Sequence, residues 1–535
     1  VERGTLVGGP SGGLRVYVNG GGLFVGADGV EGVEVLARYE GEGLVCEGGD
    51  AAVVFCRVGD GAAVLTGPHP EFDAWRLDSG AVSGGEGYAG VVASLREDEG
   101  KRVEFMKALL VKLGLRVNED GGEAVPALSE LHLSDARPGQ VGEMLASWRE
   151  AGLFTTDEQG QEMLKGEANT FTLTQPDDLD LTSLRAALPT TSTPSATPLS
   201  AKPLTLIPHS TTPPPATLTP SFNHSSYFEN LTTTALGRTL LYAPTTTSTT
   251  TLLEKNPTLL SRLPTGFTVT ATTQLAGRGR GTNVWVSPKG ALMFSTVLRH
   301  SMQLSNATAP VVLVQYLAAL AVVEGIKSYG KGYEKVPVKL KWPNDIYALD
   351  PSAPTTKKPH NTIPSQETPE ARAERERKKY VKIGGILVNS SYTPAAPTSN
   401  SASSGSFTLT LGIGLNLSNP APTTSLTHLT SALHLGPPTP ETLLAKILNS
   451  FETLYTRFCR TGFDGYFEKV YYEAWLHSGQ VVSLEGEGGV RVRIRGVEGQ
   501  WGMLITEEVE GGRRWEVRSD SNSFDFFRGL VGRKV

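Results

Sequence analysis

Cysteine is nearly absent from this chain of 535 residues: only Cys46, Cys56 and Cys459 occur, none in C-x-x-C spacing. That excludes a disulfide framework and a zinc cluster and fits a reducing compartment, so a cytoplasmic protein is expected. No stretch reaches the ~18 apolar residues of a spanning helix, and the start lacks the basic-then-apolar pattern of a signal peptide. Excess positive charge is also missing. A net charge of −6 argues against a general nucleic-acid or anionic-membrane binder, so any anion site must be focused. The Walker pattern G-x-x-x-x-G-K-[ST] does not occur, and Gly277-x-Gly279-x-Gly281 lacks the G-x-G-x-x-G spacing of a dinucleotide loop. No helix-turn-helix is apparent. The first residue is Val1 and not Met, which suggests a fragment or an imperfect gene model.

The length predicts two to four domains, and the 60 Gly and 34 Pro predict long irregular stretches between them. Residues 14–116 alternate β-rich runs (Leu14–Val18, Leu23–Val25, Val33–Ala37, Ala52–Cys56, Ala62–Thr66) with glycine turns, then give a helix at Val103–Leu113. Residues 117–189 read as a mixed, mostly polar connection. Residues 190–222 are rich in Thr, Pro and Ser and read as a linker. A second unit, 223–478, carries strands at Phe267–Thr272, Leu292–Leu298, Val338–Trp342, Ile383–Val388 and Phe407–Leu417, in a sheet expected to be mostly antiparallel. Its helices fall at Val311–Ser328 and Glu441–Cys459, with Pro440 at the first position of the second. Polar segments at 349–380 and 391–405 read as inserts, the first containing a short solvated helix at 370–379. Four short strands within 479–535 suggest a small β-barrel.

Four strings in the second unit carry chemistry. In Gly277-Arg278-Gly279-Arg280 the glycines permit close approach while the arginines offer forked donors to phosphate or carboxylate oxygens. Alone, such a loop equally suits a surface turn or an RNA-binding segment. Trp285 adds an indole able to stack on a base, or to fill a core. In Lys341-Trp342-Pro343-Asn344-Asp345 the proline ends a strand, so Asn344 and Asp345 land at an edge where side chains converge. Lys382 precedes Gly384 and Gly385, which mark either close approach of a ligand or a β-bulge. Asn416, in Gly412-Ile413-Gly414-Leu415-Asn416, lies opposite the apolar set of its strand, toward a ligand or toward water.

With this spelling and order, the four strings resemble the biotin protein ligase family, including holocarboxylase synthetases of fungal type; the resemblance covers about residues 225–535. It implies an α/β (α+β) fold: a class II aminoacyl-tRNA synthetase-like catalytic domain with an SH3-like C-terminal barrel. It also implies biotin, ATP and Mg²⁺ as ligands, with biotinyl-5′-AMP and pyrophosphate formed before biotin passes to a lysine on the apo carrier domains of acetyl-CoA carboxylase and pyruvate carboxylase. Partners on nucleic acid or membrane are not implied. On this resemblance Arg278, Arg280 and Lys382 are catalytic. Ser248, Thr249, Thr250, Gln274, Gly277, Gly384 and Gly385 line the biotin site, while Arg280, Trp285, Lys341, Asn344, Asp345 and Asn416 attend the nucleotide. Mg²⁺ would be held through ATP phosphates, its protein ligands unassigned. The family usually reads Ser-Thr-Asn where this chain has Ser248-Thr249-Thr250, which shortens an expected polar contact. A noncatalytic biotinyl-adenylate sensor or scaffold is the alternative. Residues 1–116 resemble part of a glutamine-amidotransferase-like domain, with His69 and Glu71 matching a His-x-Glu pair. No Gly-x-Cys-x-Gly nucleophile elbow occurs in the sequence, so either that segment lies upstream of Val1 or the domain serves only in packing and acceptor recognition, and a noncatalytic domain is expected.

Overall fold

The computed structural model describes residues 5–8, 13–18, 22–40, 49–59, 61–72, 74, 88–117, 128–176, 203–280, 284–285, 287, 289–351, 375, 379–394, 405–419, 424–519, 522–525 and 529–533. The chain divides into two compact units, Val1–Pro126 with Pro189–Lys202 and Ala127–Leu188 with Pro203–Val535. Most of the expected helix at 370–379 lies outside the described residues.

In the first unit β1 (Thr5–Gly8), β2 (Leu14–Val16), β3 (Val33–Glu40), β4 (Ala51–Val58) and β5 (Gly61–Thr66) form one sheet in the order β2-β1-β3-β4-β5. All four pairings are antiparallel. Leu23–Val25 is not a strand; Phe24 donates a single backbone bond to Ala51, and the glycines around it favour turns. Two helices follow, α1 (Tyr88–Glu97) and α2 (Glu99–Lys112). Phe105 and Leu109 of α2 bury against Leu14, Val16, Ala37, Tyr39, Ala52 and Val53. His69 Nδ1 lies 2.8 Å from Glu71 Oε1.

The second unit begins well before residue 223. Its strands are β6 (Leu131–Asp135), β7 (Phe154–Thr156), β8 (Glu162–Lys165), β9 (Thr170–Leu173), β10 (Leu204–His209), β11 (Thr239–Thr246), β12 (Thr268–Gln274), a small hairpin β13 (Gly277–Arg278) and β14 (Val284–Trp285), then β15 (Ala291–Ser301), β16 (Val338–Lys341), β17 (Asp345–Leu349), β18 (Tyr380–Thr393) and β19 (Ser406–Asn416). Twelve of them form one sheet in the order β16-β17-β18-β19-β15-β12-β11-β6-β10-β9-β8-β7. Pairing is antiparallel except for β10 with β6 and β9, and β11 with β12. The expected linker and mixed connection thus contribute five strands to the same sheet.

The reason these strands are hard to read is local. All five residues of β6, Leu-His-Leu-Ser-Asp, are buried, and its polar members find partners on other elements instead of facing water. His132 Nδ1 lies 3.1 Å from His209 Nε2, Ser134 Oγ lies 3.3 Å from His224 Nδ1, and the Thr239 hydroxyl donates to Asp135. Burial, then the neighbouring His132, pushes the His209 imidazole down to about 4. His224 falls to about 3 from burial first, then from His132 and His209. Pro208 is tolerated in β10 because the pairing with β9 has ended at Leu206.

Helices cover the sheet. α3 (Gln140–Glu150), α5 (Thr249–Glu254) and α6 (Pro257–Arg262) supply Val141, Leu145, Trp148, Leu252, Leu253 and Leu260 to one core. A larger core is built on α8 (Val314–Lys327) and α10 (Pro440–Thr461), with α4 (His224–Asn230), α7 (Met302–Ala307), α9 (Leu426–Ala432) and α11 (Gly465–Ala474) around them. Pro440 opens α10 as expected, capped by Thr439. A Cβ at Gly325 would come within 2.8 Å of Ile447 Cα, so the backbones of α8 and α10 approach closely there. Both inserts are narrower than expected: Tyr380 begins β18, and residues 391–393 complete it.

The C-terminal strands β20 (Val481–Leu484), β21 (Val490–Val497), β22 (Leu504–Glu508), β23 (Arg514–Val517), β24 (Asn522–Asp525) and β25 (Leu530–Arg533) form a six-stranded sheet in the order β23-β22-β21-β20-β25-β24. The Trp342 indole donates to Tyr316 Oη (2.9 Å), whose hydroxyl donates to the Gly502 carbonyl (2.6 Å). The Trp342 backbone N–H donates to His477 Nε2 at 2.9 Å. These bonds tie the end of β16 to the C-terminal sheet.

Candidate functional site

The register of the large sheet lines up thin residues. Asp345 is opposite Gly385, Gly385 opposite Gly414, Gly414 opposite Met293, and Met293 opposite Ala271. Side chains two apart share a face, so Gly412 and Ser295 continue the same floor, again directly opposite each other. The Trp285 indole occupies the space this leaves: a Cβ at Gly414 would approach Trp285 Nε1 to 2.7 Å, and one at Gly385 would meet Cζ3 at 3.4 Å. Trp285 Nε1 is buried with no hydrogen-bond partner among the described residues. Gly384 plays a different part. Its missing Cβ would face Leu415 and Ile346, on the packed side, so only Gly385 of the pair borders the trough.

A β-bulge explains why Lys382 reaches this face. Ile346 pairs with Gly384 but Tyr347 pairs with Lys382, leaving Ile383 as the extra residue. The bulge reverses the alternation, and Lys382 Cε comes within 3.7 Å of a Cβ built at Gly385. The bulge reading of this segment therefore holds, and what lies close to Gly385 is the Trp285 ring, Lys382 and Asp345. Lys382 Nζ then lies 2.7 Å from Asp345 Oδ1 and 5.5 Å from the centre of the Trp285 ring. Lys341 Nζ lies 3.5 Å from Asp345 Oδ2. One carboxylate thus holds two ammonium groups beside an indole.

The glycine-arginine segment forms the hairpin wall, with Gly277 opposite Trp285. No side chain fits at Gly277, where a Cβ would lie 2.4 Å from the Trp285 carbonyl. Its two arginines go different ways. Arg280 donates to Asn344 Oδ1 at 3.4 Å and to the Ser519 carbonyl at 2.9 Å, near the lysine pair. Arg278 instead pairs with Glu254 at the end of α5, at 2.7 Å, and Asn389 donates to the same carboxylate. Asn344 is held by reciprocal bonds with Ile386. Asn416 is buried, with Nδ2 donating to the Thr424 carbonyl, so it does not face water.

The far end of the trough is hydroxyl-lined. Ser248 caps α5, accepting from Thr251. Gln274 Oε1 accepts from the Thr249 N–H and hydroxyl at 2.7 and 3.1 Å. Ser295 lies 2.8 Å from Thr249 Oγ1 and 2.9 Å from Thr250 Oγ1. Sequence reasoning missed Ser295, which sits in an apolar run; the available signal was that a serine buried on both sides must be bonded.

The trough thus holds paired cations next to an indole at one end, and ordered hydroxyls and an amide at the other. Comparison with known proteins gives the class. The model of the biotin-protein ligase N-terminal family matches residues 7–135, and that of the biotin/lipoate A/B protein ligase family matches residues 242–399. Biotin--protein ligase of Schizosaccharomyces pombe is 30% identical over 535 residues, 97% of this chain and 75% of that protein. Biotin--protein ligase 2 of Arabidopsis thaliana is 33% identical over 326 residues, 59% of this chain and 83% of its own, and the human biotin--protein ligase 30% over 318, 58% and 37%. A solved structure of biotin protein ligase from Aquifex aeolicus, in complex with biotin and ATP, aligns with 52% of this chain and 99% of its own at 21% identity; its TM-score of 0.34 is too low to carry an argument. The chain belongs to the biotin–protein ligase family and is an ATP-dependent ligase of that class.

Proposed function

We propose that the hydroxyl-lined end of the trough holds the biotin ring, and that the Trp285 end holds ATP. The biotin carboxylate attacks the α-phosphate, the bond to the β-phosphate breaks, and biotinyl-5′-AMP and pyrophosphate result. An ε-amino group on the apo carrier domain of a carboxylase, acetyl-CoA carboxylase or pyruvate carboxylase among them, then attacks the acyl carbonyl. An amide forms, AMP leaves and one proton is released.

The observation that carries this reading is the Asp345 carboxylate between Lys341 and Lys382, beside an indole lying on Gly385 and Gly414. Bringing a carboxylate to a phosphate costs about 4 kcal/mol for unit charges 4 Å apart at an effective dielectric near 20. Lys382 and Arg280 are placed to offset that and to stabilise charge developing on the phosphate. Arg278 reaches the carboxylate only by exchanging Glu254 for it. Trp285 supplies a stacking face for adenine, and the β13–β14 hairpin covers the mixed anhydride from water. Among the described residues no three His, Cys, Asp or Glu converge to hold a metal. A Mg²⁺ ion would be held through the ATP phosphates, its protein ligands unassigned.

The large sheet with its helices is read as the class II synthetase-like domain and the six C-terminal strands as an SH3-like barrel. The first unit is read as part of an amidotransferase-like domain that serves in packing and acceptor recognition, its His69–Glu71 pair matching a His-x-Glu of that superfamily. No helix among the described residues is long and apolar enough to cross a membrane. Free Cys56 and Cys459 accord with a cytoplasmic setting. The test is biotin-dependent exchange of pyrophosphate into ATP: exchange that requires biotin supports the proposal, and exchange without biotin, or none, overturns it.

A further inference from the structure

The hydrogen bonds at the hydroxyl-lined end have a direction that proton counting alone determines. The Thr249 backbone N–H points at the Gln274 side chain, and an N–H cannot be met by an NH₂ group, so this atom is the amide oxygen. That oxygen only accepts. Thr249 Oγ1, 3.1 Å away, therefore commits its single proton to it. Ser295 must then donate to Thr249 across their 2.8 Å contact. With the Ser295 proton used, the 2.9 Å contact between Thr250 and Ser295 has Thr250 as donor. The Gln274 nitrogen continues outward, donating to Ser287 Oγ at 3.1 Å.

Every hydroxyl proton from Thr250 to Gln274 is thus committed inside the wall. Thr250 Oγ1 stands over Gly412, where an added Cβ would approach it to 2.5 Å, and Gly412 shares the trough face with Gly414. Toward a ligand it offers lone pairs and nothing else. We propose that Ser295 is a positioning residue that fixes Thr250 as an acceptor, so that this wall selects an N–H donor of the biotin ureido ring. The proposal rests on the reading of the trough as the biotin site. It also gives Thr250 a definite consequence: an asparagine, with donors and an acceptor on one amide, would not impose that polarity.

The test is affinity, by titration calorimetry, for biotin and for two analogues in which one or the other ureido N–H is replaced by a ring oxygen. Wild type should bind one analogue about tenfold more weakly than biotin or worse, since two acceptors then face each other. In Ser295→Ala the freed Thr250 proton can turn to the ring oxygen, and the gap should shrink. Thr250→Ser should keep the wild-type gap, and Thr250→Val should abolish it, which guards against a Ser295 variant that fails to fold. With each analogue as substrate, the change should appear in KM and leave kcat nearly constant. Equal binding of both analogues and biotin by wild type, or an undiminished gap in a folded Ser295→Ala, overturns the proposal. Failure of wild type to bind biotin at all would instead sink the assignment of the trough.

Discussion

Lys382 Nζ rests 2.7 Å from Asp345 Oδ1, across two neighbouring strands, and the bulge at Ile383 turns it to the same face as Gly385 and Trp285. Lys382→Ala should lower biotin-dependent pyrophosphate exchange by about 100-fold or more, the range seen when a preorganised charge-stabilising donor is removed. Asp345→Asn keeps the shape but releases both lysines. Its kcat should fall with the KM for biotin nearly unchanged; a change confined to KM would show that Asp345 acts in binding.

Trp285 and Gly414 should behave as one unit. Trp285→Ala should weaken ATP by about 1–3 kcal/mol, the value of a base stacked on an aromatic ring. Gly414→Ala places a methyl where the indole edge lies, 2.7 Å from Nε1, and should weaken ATP in the same direction. In the double variant the losses should fall well short of additive. Full additivity in the measured KM for ATP would separate the two residues.

Glu452 on α10 should act as an acid-sensitive clamp. Burial pushes its carboxyl up, but N–H groups of Leu236, Thr234 and Ala235 and the Thr234 hydroxyl outweigh this and hold it below the usual carboxylate range. Because the folded value is depressed, its stabilisation is present above an unfolded value near 4.3 and is lost as pH falls through the folded one. Glu452→Gln should cost about 1 kcal/mol at neutral pH, discounted for partial exposure. In urea unfolding the difference from wild type should vanish at the acid end; a constant difference across pH would contradict the clamp.

The buried histidines give a separate, higher window. The unfolded chain protonates them below about 6.5, while folded His209 and His224 hold out to about 4 and about 3. Between these limits the unfolded state binds more protons, so stability should fall with falling pH by about 1.4 kcal/mol per unit for each residue. Replacing His209 by Asn should flatten that slope by one residue's share, as read from urea midpoints between pH 7 and 4.

The lysine end of the site was legible in the sequence because its residues sit in short strings of unusual composition, but the meeting of Lys341 and Lys382 at Asp345 comes only from the pairing of β16, β17 and β18. The hydroxyl end was only half legible. Ser295 lies within Leu292–Leu298, a largely apolar run in which the adjacent hydroxyls of Ser295 and Thr296 carry no positional signal. The strands before residue 223 were missed for a related reason. His132, Ser134 and Asp135 are buried and bonded to His209, His224 and Thr239 on other elements, which erases the alternation that a half-exposed strand displays. Leu204–His209 was hidden by its Pro- and Thr-rich surroundings, and the bulge that aims Lys382 is a property of pairing with β17, invisible along a single strand.

The central claim is tested most directly by incubating the protein with ATP, Mg²⁺, labelled biotin and an apo biotin-carrier domain, with Lys382→Ala in parallel. The account predicts label on the carrier lysine with wild type, and loss of nearly all of it with the variant. No label with wild type, or equal label with both, would contradict it.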